Sequence, residues 1–107
     1  MITVTFYKDS PYYYKGFQFK GHAGYASAGK DIVCSAVSAL VISTENAIDM
    51  LTDVEYDIQE DDGFVRLMLH DSRDHDSQLL VKALVLGIQG IYDSYGKKYL
   101  QLHFKEV

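Results

Sequence analysis

The sequence predicts an α+β fold, a two-layer sandwich in which two helices pack on a mainly antiparallel sheet. Three observations carry that prediction. Two long stretches are apolar over a wide arc at helical spacing, several short stretches alternate apolar and polar residues, and together they run in the order β-β-α-β-β-α-β.

Ile2, Val4 and Phe6 alternate with Thr3 and Thr5, the pattern of a half-buried first strand. Asp9-Ser10-Pro11 marks a turn, and Tyr12-Tyr13-Tyr14 either extends a hairpin or stays exposed. Gly16 to His22 alternates again, so a second strand ends near His22. Gly21 to Lys30, GHAGYASAGK, is rich in Gly and Ala and reads as a loop between strand and helix. Asp31 is a good N-cap residue, and the helix after it runs to about Leu51. Its apolar positions cover more than one stripe, which predicts a central helix or a subunit interface. Val54, Tyr56 and Ile58 alternate with acidic and polar residues, Asp62-Gly63 supplies a turn, and Phe64 to His70 alternates again, together a hairpin. His70 to Ser77 is a polar connection, with Asp74 or Asp76 placed to cap the next helix and complement its dipole. That helix is expected over Gln78 to about Tyr95, with Gly96 as its C-cap. Within it, Gly87 and Gly90 suggest the close approach of another backbone, such as a dimer partner's. Leu100, Leu102 and Phe104 complete a final strand, on which His103 reads as a surface or edge residue.

A chain of 107 residues suits one domain, residues 1–107, with one core. Nearly half the residues are hydrophobic, which argues against disorder. Fifteen acidic against ten basic residues give a net charge of −5, poor for direct nucleic-acid binding and suited to a basic partner. Cys34 is the single cysteine, so no internal disulfide can form. The N-terminus lacks a leader pattern, and polar residues interrupt the apolar runs before they reach membrane-spanning length. The expected location is the cytoplasm, with no membrane partner.

His22 and Cys34 flank the small-residue loop, with eleven residues between them. With Asp31 as N-cap, Cys34 falls in the first helical turn, where unpaired N–H groups and the helix dipole favour a thiolate. A nearby imidazolium favours it further, and the same N–H groups suit an oxyanion. Asp31 has two competing roles, capping the helix or orienting His22. Ser38, one turn after Cys34, either hydrogen-bonds the thiolate or a carbonyl, or is simply small enough for close packing. Against all this stands the ordinary fate of a lone cysteine on an apolar helix, which is core. A core role does not explain the preceding loop of small residues; a loop that admits a peptide and closes on it does.

The stretch GHAGYASAGKDIVCSAVSAL resembles the signature of the ribosomal-processing cysteine protease family, Prp. The matching residues are Gly21-His22, Gly29, Asp31-Ile32-Val33-Cys34 and Ala36 to Leu40, with Asn46-Ala47 further along. The resemblance implies a cysteine endopeptidase with Cys34 as nucleophile and His22 as base. On the reading of the residues themselves, Asp31 and Ser38 would support them, and Gly21, Ala23, Gly24, Tyr25 and Gly29 would form the substrate loop. The resemblance also implies a homodimer, and the thiol–imidazole mechanism needs neither metal nor cofactor. Its substrate would be a bacterial large-subunit ribosomal protein, the one numbered twenty-seven, whose N-terminal extension is removed by a cut after an aromatic residue. The alternative is a non-catalytic module that binds a ribosomal protein tail.

Other motifs point elsewhere and are weaker. Gly24 to Lys30 fits the first seven positions of a phosphate-binding loop, but Asp31 replaces the Ser or Thr that would hold magnesium. His70, Asp71, Asp74, His75 and Asp76 have metal-ligand chemistry, yet such a run is more simply a solvated connection. Tyr12, Tyr13, Tyr14 and Tyr25 could line a groove for a substrate side chain, with Tyr25 best placed because it lies in the loop.

Overall fold

A computed structural model describes residues 1–21 and 28–107, without the side chains of residues 28–30, Tyr95 and Gly96. The described residues form β1 (Ile2–Lys8), β2 (Tyr14–Lys20), α1 (Ala28–Leu51), β3 (Tyr56–Asp61), β4 (Phe64–Leu69), α2 (His75–Ile91) and β5 (Leu100–Glu106). This is the expected order. The strands make one sheet in the order β3-β4-β2-β1-β5. All neighbours are antiparallel except β1 and β5, which run parallel with Ile2 opposite Leu100. A parallel neighbour needs a crossover, and the β4–α2–β5 stretch supplies it.

Alternation decides which face of the sheet is covered. Ile2, Val4, Phe6, Phe17, Phe19, Leu67, Leu69 and Leu100 are buried, and they meet Val33, Val37, Val41 and Ile48 of α1 and Val81, Leu84 and Ile88 of α2. Phe6 stacks on Phe104 with ring centroids 5.6 Å apart and meets Tyr14 edge-on at 6.0 Å. Each such fully buried side chain stabilises the fold by roughly 1.5–3 kcal/mol relative to exposure.

The helices are apolar over wide arcs, but each buries one stripe within the chain. On α1, Ile32, Ile42, Met50 and Leu51 face solvent, as do Leu79 and Leu86 on α2. The segment Asp31–Leu51 is long and apolar enough to cross a membrane by length and composition. In this fold it lies instead against the sheet.

Several boundaries differ from the sequence expectation. α1 starts at Ala28, so Ala28, Gly29 and Lys30 are helical and not loop, and Asp31 sits inside the first turn and is not the N-cap. A carboxylate there still complements the positive end of the dipole. α2 starts at His75 because Asp74 caps it: Ser77 N donates to Asp74 Oδ2 at 2.9 Å. Asp76 follows in the first turn. At the other end the chain continues through a π-helical turn, Tyr92–Gly96, to Lys97, so Gly96 belongs to that turn and is not the C-cap. A Cβ at Gly87 would lie 3.0 Å from Leu40 Cδ1, so the close neighbour is a side chain of α1 in the same chain; at Gly90 nothing lies within 4 Å.

The start of α2 is tied to the β1–β2 hairpin. Buried Gln78 accepts from Tyr14 N at 2.9 Å and donates to Tyr14 O at 2.6 Å. Asp9 binds Ser72 and accepts from Arg73 Nη1 at 2.9 Å.

Candidate active site

Cys34 lies on α1 between buried Val33 and exposed Ser35, and it is itself half-buried against the core. Its thiol therefore stands where the core meets solvent. The early start of α1 puts Cys34 in the second turn. In a helix beginning at Ala28, the N–H of Cys34 is already bonded to the carbonyl four residues back, and the free N–H groups belong to the residues before it. The anion-stabilising groups expected beside the thiol are thus displaced by about one turn. Ser38 is half-buried one turn further along the same face. Asp31 is exposed.

β2 leads towards this region. Its last residue, Lys20, pairs with Phe64, and the next, Gly21, donates its N–H to Gly63 O at 2.8 Å. Gly21 is thereby fixed against the turn between β3 and β4. His22, Ala23, Gly24 and Tyr25 follow and lie outside the described residues, as does most of the phosphate-loop pattern. Gly29 is in the first turn of α1.

The described histidines stand elsewhere. His70 directly follows β4, at the opposite end of the sheet from Gly21, since β4 runs antiparallel to β2. There its Nε2 lies 3.1 Å from Asp57 and its Nδ1 3.5 Å from Glu55. The hydrogen bond that the ring donates to Asp57 and the charges of Asp57 and Glu55 outweigh partial desolvation and raise its pKa. His75 opens α2 beside Asp76, and exposed His103 is paired with Thr5 on the face away from the helices. The polar run before α2 is used structurally: Asp71 accepts from Arg73 N at 2.8 Å and Asp74 caps the helix.

Tyr12, Tyr13 and Tyr14 are also remote. β2 is seven residues long, which separates them from Gly21 by roughly 20 Å. Tyr13 carries the Arg73 guanidinium 3.9 Å above its ring, and Tyr14 is held by Gln78, so these two serve the hairpin–α2 junction. What the sequence reading missed is the Gly21–Gly63 contact; Asp62-Gly63 was legible only as a turn.

Comparison with known proteins gives this site its context. The family description "Cysteine protease Prp" matches residues 1–100. A Bacillus subtilis protein named ribosomal processing cysteine protease Prp is 31% identical over 101 residues, covering 89% of this chain and 90% of its own. The crystal structure of an essential ribosomal processing protease Prp from Staphylococcus aureus with a substrate peptide superposes with a TM-score of 0.90. It is 28% identical, and the match covers 98% of this chain and 100% of that one. A second structure of the Staphylococcus aureus protein, with a covalently linked product peptide, gives a TM-score of 0.86 at 30% identity, again covering 98% and 100%. The chain is therefore a cysteine protease, a peptide hydrolase. The chain belongs to the Prp family.

Proposed function

We propose that the protein is an endopeptidase in which Cys34 is the nucleophile and His22 the general base. Its substrate would be a bacterial large-subunit ribosomal protein, the one numbered twenty-seven, from which it removes an N-terminal extension. The observation that carries this reading is the half-buried free thiol of Cys34 on α1, in a chain of the Prp family. The remote positions of His70, His75 and His103 support His22 as its partner. The names of the relatives, with substrate and product peptides bound in two of them, support the substrate class.

In this mechanism His22 takes the thiol proton as Cys34 attacks the scissile carbonyl. It then returns a proton to the leaving amine. Water hydrolyses the thioester, with His22 again as base. Asp31 and Ser38 support the pair, and Gly21, Ala23, Gly24, Tyr25 and Gly29 frame the peptide. The acidic balance of the chain favours encounter with a basic ribosomal protein. The apolar positions on the outer faces of α1 and α2, Ile32, Ile42 and Leu86 among them, favour a homodimer. The protein would work in the cytoplasm, without direct contact to nucleic acid or membrane.

The test is cleavage of a peptide spanning the extension, by wild type, Cys34→Ser and His22→Ala. Cutting by wild type and loss in both variants is the expected result. Peptide binding without cutting by wild type would replace the protease with a binding module.

A further inference from the structure

We propose that Gly63, in the β3–β4 turn, is a positioning residue for cleavage, acting through Gly21 on the segment that carries the base. The inference rests on the reading of His22 as that base.

Two observations meet at this turn. Gly63 has φ +69°, in the left-handed region that favours glycine. That alone is ordinary turn chemistry. The second observation is spatial: a Cβ on Gly63 would lie 2.4 Å from Gly21 O, while Gly63 O accepts the Gly21 N–H at 2.8 Å. The two backbones therefore abut with no room for a side chain. On the other side, a Cβ on Gly21 would lie 2.5 Å from Phe19 Cζ. The contact extends the β2–β4 ladder one residue past its last pair, Lys20 with Phe64. It fixes the peptide that leads directly into His22, and adjacent Cα atoms are only about 3.8 Å apart. Displacing Gly21 displaces the origin of that segment, and misplacement by about 1 Å can lower a rate by roughly a hundredfold.

The two requirements on Gly63 can be separated. Asparagine tolerates φ near +60° but carries a Cβ. Gly63→Asn should therefore meet the turn requirement and break the spatial one. Asp61→Ala is the control: it removes the turn's Asp61 Oδ1 bond to Asp62 N, 2.8 Å long, without adding an atom near Gly21.

The experiment measures kcat and KM on the extension peptide, the rate of Cys34 alkylation by iodoacetamide at pH 6, and Tm. Gly63→Asn should lower kcat about ten- to a hundredfold with little change in KM, and slow alkylation at pH 6 towards the rate of His22→Ala. Asp61→Ala should lower Tm while leaving kcat and alkylation as in wild type. Should Gly63→Asn fail to fold, Gly21→Ala takes its place, since the three atoms nearest its added methyl belong to the Phe19 side chain and not to backbone. It should show the same two losses. Wild-type kcat and alkylation in Gly63→Asn, or in Gly21→Ala where that is used, would overturn the proposal, as would losses matched by Asp61→Ala. If His22→Ala itself leaves cleavage and alkylation intact, the base assignment fails first; a Gly63→Asn loss then reflects some other group.

Discussion

Replacing Glu45 by glutamine should stabilise the protein at pH 8 and leave it unchanged at pH 4. Glu45 is half-buried on α1, hydrogen-bonded to Glu60 of β3, with Asp49 one turn further on. Asp49 in turn accepts from Tyr56 Oη at 2.6 Å. Burial, then the hydrogen bond and charge of Glu60, then the charge of Asp49, push the Glu45 carboxyl from 4.5 up to about 7. The folded protein thus holds this proton more tightly than the unfolded chain. The stability it contributes is complete below about pH 4.5 and is lost as pH rises through about 7. The difference of about 2.5 units corresponds to at most about 3.4 kcal/mol, at roughly 1.36 kcal/mol per unit. Water reaches both carboxyls and screens them, which reduces the net effect to about 1 kcal/mol. Glutamine keeps the shape and the hydrogen bond but never ionises. Thermal unfolding followed by circular dichroism at pH 4 and pH 8 measures the difference. The two proteins should melt together at pH 4, and the variant about 5 °C higher at pH 8. Glu60→Gln should do the same, and the double variant should add little, because both changes remove one repulsion. An equal offset at both pH values, or a less stable variant at pH 8, would refute the argument.

Two further predictions concern the ends of elements. Asp74→Ala removes the cap of α2 and should cost about 1 kcal/mol, lowering Tm by roughly 5 °C, which calorimetry measures. For His70, NMR titration should give a midpoint above its ordinary 6.5, and Asp57→Asn should bring it down. The stability this histidine contributes is present below about pH 6.5 and is lost as pH rises through the folded-state midpoint.

Local chemistry explains why so much was legible in the chain. Alternation placed β1 through Ile2, Val4 and Phe6, and Asp62-Gly63 marked the hairpin turn. Asp74 was readable as a cap because its side chain needs only a backbone N–H three residues away. The start of α1 was misread because a carboxylate in a helix's first turn resembles a cap. Asp31 and Asp74 both suit an N-cap, but only Asp74 is one, and a carboxylate inside the first turn gives the same local signal. The wide apolar arc of α1 predicted a central helix or a subunit interface. The chain buries one stripe of each helix, because a two-layer fold offers a helix only one sheet face to cover.

By itself, then, the sequence determined the order of elements, the covered faces of β1 and β2 and the lone thiol near the head of an apolar helix, all set by neighbours close in the chain. Tertiary structure alone decided the parallel pairing of β5 with β1 and the contact of Gly21 with Gly63. Those features join residues tens of positions apart. Their geometry follows from how the strands assemble, and the pattern of any single segment carries no record of it.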